Sequence, residues 1–187
     1  LDLSFLLNRR EDAIIVRARV FLNEQGARLK LVMPIGGWAE FEVPGGTVSR
    51  VPCGEVPGGR WVRVGKGIER LGFASDALYG FDLTDGEFRA TIARCSRYAS
   101  DERRTSGEAP WWPAVDVGEL RFSFLLTPSV ARLPDLAAEL EHPPVLMPLP
   151  ARHGKRSVGE SFTGQLSPGF RLQALRGLAQ NHFELGA

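Results

Sequence analysis

The chain is poor in the residue types from which metal and nucleophilic centres are usually built. Its 187 residues include two cysteines and three histidines. Cys53 and Cys95 cannot make the disulfide framework of a small secreted domain, and a chain of this length can bury a core without one. Free cysteine packs as a small hydrophobe, so two half-buried thiols are expected. His142, His153 and His182 lie far apart, none within the short spacing of a zinc-ligand pair. A charge bias is also missing: 23 Lys and Arg balance 22 Asp and Glu, and no basic run exceeds two residues. Neither nucleic acid nor an anionic membrane surface is therefore an expected partner. No apolar run approaches the roughly 20 residues that cross a bilayer. The opening LDLSFLL is too short for a signal core and has no basic region before it. The chain begins in strand-like sequence without Met, which sets the expectation of a piece of a longer protein.

What the chain has in quantity is alternation of period two. In AIIVRARVFLN, Ile14, Val16, Ala18, Val20 and Leu22 share one face, with Arg17 and Arg19 on the other. ARLKLVM sends Leu29, Leu31 and Met33 inward, and Asn23 to Ala27 reads as a hairpin connection between the two runs. WAEFEV alternates Ala39, Phe41 and Val43 against Glu40 and Glu42. Residues 44–60 carry many prolines and glycines and read as loop or sheet edge. Strand texture resumes at RWVRV and GFASDALYGFDL, and Asp85-Gly86 then predicts a tight hairpin into EFRATIARC. ELRFSFLL places Leu120, Phe122, Phe124 and Leu126 inward. One short helix is expected at LPDLAAELE, where Pro134 suits a first turn, and it reads as a connector. A Pro-rich crossing over 142–160 precedes two more strand-like pieces, SFTGQL and FRLQAL. The expectation is one all-β, antiparallel domain over 1–187, built from about a dozen short strands as a sandwich.

Three constellations could carry chemistry. Asp101 with Glu102, Asp116 with Glu119, and Glu139 with Glu141 are the carboxylate pairs that glycoside cleavage would need on either side of a bond. Trp111 and Trp112, adjacent and set between prolines, could form a flat platform for a sugar face. Arg94 falls in step with Phe88, Ala90 and Ile92, where a charge is costly unless paired. Asp116, just ahead of Gly118, is the nearest downstream partner.

Four strings then occur in order: FEVPGGTVSRV, GEVPGGRWVRV, LGFASDALYGFDLTDGEFRATIARCSRYA and DVGELRFSFLLTP. Together they resemble the C-terminal β-sandwich of family 38 glycoside hydrolases, the α-mannosidases, of the bacterial and cytosolic type. The resemblance runs from about residue 13 to the end and is most specific over 40–127. It implies an antiparallel supersandwich similar to the galactose-mutarotase-like fold and a cytoplasmic setting. It also implies a parent enzyme that hydrolyses terminal α-mannosides with retention, through an Asp nucleophile beside zinc or another divalent metal. Those groups belong to the family's N-terminal catalytic domain, and no residue here matches them. The chain alone is accordingly expected to be inactive, without a cofactor of its own, and to partner that domain. Arg94, Asp116 and Gly118 match motif positions near the sugar pocket and are implied rim or interface residues. The chain departs from the pattern at Cys95-Ser96, where the family has Ser-Pro, at Val117, where a polar residue is usual, and at Leu120, which replaces His or Gln. Two alternatives stand beside this reading: a free-standing carbohydrate-binding module using Trp111 and Trp112, and an assembly domain forming a homo-oligomer.

Overall fold

Apolar residues at every second position can be buried together only on one face of a sheet. The computed structural model describes residues 1–7, 9, 11–84, 86–96 and 115–144, together with the backbone of 174–179 and 182–186. The chain divides into two compact units, Leu1–Val145 and Leu146–Ala187.

The first unit is antiparallel β throughout, with one helix among its described residues. Its strands are β1 (Asp2–Leu7), β2 (Ile14–Leu22), β3 (Leu29–Met33), β4 (Ala39–Val43), β5 (Gly46–Arg50), β6 (Cys53–Pro57), β7 (Trp61–Val64), β8 (Leu71–Ser75), β9 (Gly80–Leu83), β10 (Phe88–Ala93) and β11 (Gly118–Thr127). They form a seven-stranded sheet in the order β1-β2-β11-β8-β7-β4-β5 and a four-stranded sheet in the order β3-β10-β9-β6. The sheets face each other over an aromatic core. Phe41 and Phe73 of the larger sheet meet Phe81 and Phe88 of the smaller one, with ring centroids 5.6 Å apart for Phe73 and Phe88 and 5.8 Å for Phe41 and Phe81, and Phe124 stacks beside Phe73 at 5.9 Å. Phe41, Phe73, Phe81 and Phe88 are wholly buried. Each such ring removes enough apolar area from water to contribute on the order of 2–3 kcal/mol.

The inward sets read from alternation, including Val16-Ala18-Val20, Ala39-Phe41 and Phe122-Phe124, are the core residues. The expected hairpin between β9 and β10 is present, with Phe88 opposite Leu83 and Gly86 at φ +103°, while Asp85 itself lies outside the described residues. Residues 44–60 hold two edge strands, β5 on one sheet and β6 on the other. Pro44-Gly45 turns β4 into β5, Gly45 standing at φ +82° where a type II turn needs it.

Two local expectations are overturned. The Asn23–Ala27 connection is no hairpin: β2 lies in the seven-stranded sheet and β3 in the four-stranded one, so it carries the chain across the sandwich. Alternation fixes which face of a strand is apolar but not which sheet it joins. The helix α1 (Leu133–Glu141) is more than a connector. Leu133, Leu136 and Ala137 pack on Trp61, Ala74 and Leu125 of the outer face of the large sheet, making a third layer.

The large sheet overhangs the small one at β1. Leu3, Phe5 and Leu7 pair with Ala18, Val16 and Ile14 and so share their inward face, yet Phe5 is 66% and Leu7 76% exposed. In the second unit, β12 (Ala174–Ala179) pairs antiparallel with β13 (His182–Gly186). SFTGQL, most of FRLQAL and nearly all of the Pro-rich crossing lie outside the described residues.

Candidate functional site around Arg94

Arg94 does not stand where simple alternation puts it. A β-bulge between Thr91 and Ala93 shifts the register of β10 against β3. One extra residue exchanges the faces of everything after it. Ala93 and Cys95 therefore become the buried residues, and the Arg94 side chain turns out to the solvent side of the four-stranded sheet. The costly buried charge never arises.

That outer face is a lattice of alternating charges. β3 supplies Lys30, β6 supplies Glu55, β9 supplies Asp82 and β10 supplies Arg89 and Thr91, with Arg28 just before β3. Glu55 sits at the centre. It accepts hydrogen bonds from Thr91 Oγ1 at 2.9 Å, Arg28 Nη1 at 2.8 Å and Lys30 Nζ at 3.4 Å. Arg94 Nε stands 3.8 Å from its other side. Lys30 also pairs with Asp82, whose second oxygen lies 3.6 Å from Arg89. Burial works to raise the Glu55 carboxyl, but the Thr91 hydroxyl and the Lys30 and Arg28 charges outweigh it and hold the group below its ordinary value.

A hollow of about 320 Å³ opens beside this carboxylate, lined by Arg28, Glu55, Pro57, Tyr79, Gly80 and Arg94, with Val56 at its floor. Gly80 makes the room: a Cβ there would lie 3.2 Å from Glu55 Oε1. Tyr79 Oη donates to the Asp76 carbonyl at 3.3 Å. Burial, then the charges of Glu141 and Asp76, push its phenol up from the ordinary value, so it is a neutral donor at physiological pH. The hollow thus brings an ionised acceptor, two guanidinium donors and a phenol together on one surface.

Neither Asp116 nor Gly118 lines the hollow, though Asp116 contacts Arg94. The Arg94 backbone N–H donates to Asp116 Oδ2 at 3.0 Å, so the two residues are partnered through the main chain. Cys95 Sγ contacts the Asp116 carbonyl at 3.9 Å, and Val115 N donates to Ser96 O at 2.9 Å. Cys95 and Asp116 both take left-handed backbone, at φ +44° and +58°, and Gly118 opens β11 at φ +114°. Cys95 is buried and Cys53 half-buried, both as free thiols.

Among the described residues, Asp116 and Glu119 do not form a carboxylate pair, each having its own partners. Glu119 is bound by Arg19 at 2.9 Å and by Arg121, while Asp116 is turned toward Arg94 N. The hydrogen bonds from Arg19 and Arg121 draw the Glu119 carboxyl down to about 2. On α1, Glu141 pairs with Arg60 at 3.1 Å. Trp111, Trp112, Asp101 and Glu102 lie outside the described residues. Among the described residues no three His, Cys, Asp or Glu side chains converge as metal ligands. No described helix is long and apolar enough to cross a membrane.

Sequence reading missed Glu55, Lys30, Asp82 and Tyr79. Their signal was in plain view: polar residues at alternate positions on strands from one sheet. Which strands were neighbours was not in view. No protein-family model and no curated protein matches the chain.

Proposed function

We propose that the chain is the C-terminal β-sandwich of a retaining family 38 α-mannosidase, a non-catalytic buttress whose Arg94 face meets the domain that cleaves the mannoside. One observation carries this reading. Residues from two strings of the resemblance, Glu55-Val56-Pro57 from one and Tyr79-Gly80 and Arg94 from the other, line one hollow. β6, β9 and β10 are neighbours in the four-stranded sheet, and Glu55, Tyr79 and Arg94 fall together at its outer face rather than in the core. The Glu55 carboxylate and the Arg28 and Arg94 guanidinium groups are suited to hydroxyl-bearing ligands or a polar domain surface. The uncovered Leu3, Phe5 and Leu7 face supplies apolar area of the kind a domain contact uses. On this reading the Asp nucleophile and the divalent metal belong to the catalytic domain, and the cytoplasm is where the parent enzyme works.

The test is complementation. A bacterial family 38 catalytic domain lacking its own C-terminal region is co-expressed with this chain and assayed on an aryl α-mannoside with zinc. The mixture hydrolyses the substrate, each part alone does not, and Arg94→Ala lowers kcat/KM about tenfold, equivalent to ~1.4 kcal/mol of transition-state stabilisation. Turnover by the chain alone, or no association with the catalytic domain, defeats the proposal.

A further inference from the structure

We propose that a second site, on the opposite side of the sandwich from Arg94, binds a hexose bearing a phosphate or carboxylate, with Trp38 under the ring and Lys66 and Arg70 on the anion. A cleft of about 780 Å³ opens there, lined by Trp38, Glu40, Arg63, Lys66, Arg70 and Val130 among others. This lies within the ordinary range of small-ligand sites, roughly 300–1,000 Å³.

Its parts differ in how firmly they are held. Arg63 is fixed: it donates to Glu40 Oε2 at 2.8 Å and to the Val130 carbonyl at 3.1 Å, and its guanidinium lies 4.7 Å from the Trp61 ring centroid. Glu40 also accepts from Thr47 Oγ1 at 2.9 Å. These two residues are a preset donor–acceptor pair in the wall. Lys66 and Arg70 are different. Both are exposed, and among the described residues neither forms a salt bridge or a side-chain hydrogen bond; Lys66 Nζ rests 5.7 Å from the Trp38 ring centroid.

The loop that carries them is shaped in advance. Gly65 N–H donates to the Trp38 carbonyl at 2.9 Å, and Gly65 stands at φ +86°. A Cβ at Gly65 would fall 2.1 Å from the Glu69 carbonyl oxygen, so the loop folds back on itself as closely as a backbone can. Gly67, at φ +65°, makes the next turn. Two cations without carboxylate partners are thus held beside a half-buried indole. Lys66, Arg70 and Arg63 outnumber Glu40, while Glu69 borders only the adjoining hollow.

A surface salt bridge would have used these cations if stability were their purpose. An anion over an aromatic face uses all three elements at once: charge on Lys66 and Arg70, C–H contact on Trp38, and hydroxyl contacts on Glu40 and Arg63. Neither a bare anion nor a neutral sugar uses them all. The cleft and the Arg94 hollow lie on different sheets, so this proposal and the mannosidase reading succeed or fail separately.

The experiment is calorimetric titration of the full 187-residue chain with glucose 6-phosphate, glucuronate, glucose and inorganic phosphate. At least one charged sugar binds saturably, at least about tenfold tighter than both glucose and phosphate. The Lys66→Ala/Arg70→Ala double variant, altered only at exposed positions, keeps the wild-type Tm and loses that affinity about tenfold or more. Trp38→Phe retains an aromatic face and binds more weakly than wild type. Equal binding of inorganic phosphate, no saturable binding of either charged sugar, or undiminished binding by the double variant would overturn the proposal.

Discussion

The backbone N–H of Arg94 points at the carboxylate of Asp116, 3.0 Å away, and closes the β10 end against the β11 start. Asp116 does this from left-handed backbone at φ +58°, a conformation Asp and Asn accept better than other non-glycine residues. Asp116→Asn keeps both the acceptor and the tolerance, and is expected within about 0.5 kcal/mol of wild type. Asp116→Ala loses the hydrogen bond and meets the full left-handed penalty, so it costs about 2 kcal/mol. Asp116→Gly loses the bond but relieves the backbone and falls between them. Urea midpoints at constant m-value rank the three. Equal midpoints for Asn and Ala would show that the carboxylate does nothing for the junction.

This junction also shows what was readable in advance. The ground for pairing Arg94 with Asp116, a charge on the apolar face, does not hold, because the Arg94 side chain is exposed, but that the two meet was legible. Their mode of contact was not, since a backbone donor leaves no mark in a sequence. Nor was the side on which Arg94 emerges. A bulge at Thr91–Ala93 reverses the alternation, and the pair of apolar residues Ile92-Ala93 was its one trace. Trp61 and Leu125 were similar traces: apolar residues on the supposedly wet face, each marking where α1 docks. The strand set and its core faces were carried by local period-two chemistry. Sheet membership depended on contacts between residues far apart in the chain, and so the Glu55 lattice stayed hidden.

Glu55 gives the fold an acid-sensitive face. Its folded pKa is lowered, so between the folded value and the unfolded one near 4.5 the unfolded chain binds a proton that the folded chain does not. Stability from this group is complete above the unfolded pKa and is lost as pH falls through the folded value. Glu55→Gln removes the charge that Arg28, Lys30 and Arg94 surround, and costs about 1–2 kcal/mol at pH 7. The variant's urea midpoint changes less than that of wild type between pH 6 and the acid limb, roughly below pH 4. Parallel pH profiles would place the acid sensitivity elsewhere.

Gly72 is the seat of the helix. A Cβ there would lie 2.8 Å from Thr127 Cγ2 and 3.1 and 3.2 Å from the two Leu133 methyls. Thr127 and Leu133 are wholly buried, so neither can swing into solvent. Gly72→Ala is expected to cost about 1–3 kcal/mol by overpacking, and Leu133→Ala about 2–5 kcal/mol by leaving a cavity. The two errors are complementary in volume. The double variant is therefore less destabilised than the sum of the singles, by about 1 kcal/mol in a double-mutant cycle. Strict additivity would mean that α1 does not rest on this glycine.

Arg60 ties three elements together, and its two carboxylates should not be equal. Its Nε lies 3.1 and 3.2 Å from the two Glu42 oxygens and its Nη2 2.6 Å from Oε1, while Glu42 Oε2 also accepts the Arg60 backbone N–H at 2.7 Å. Glu141, at the end of α1, receives one contact at 3.1 Å. The Glu42 hydrogen bonds are the main reason the guanidinium is held further above its ordinary range, against a desolvation cost that opposes them. Gly59 keeps the carboxylate close, because a Cβ there would approach Glu42 Oε2 to 2.8 Å. Arg60→Lys retains the charge but not the planar fork, and is expected to lose about 1–2 kcal/mol. Glu141→Gln leaves the fork intact and costs less than about 0.5 kcal/mol, screened further by salt. Thermal melts at low and high ionic strength separate the two: the Lys variant stays destabilised at both, and the Gln variant converges on wild type as salt rises. If Arg60→Lys were as mild as Glu141→Gln, fork geometry would contribute nothing and a point charge would suffice.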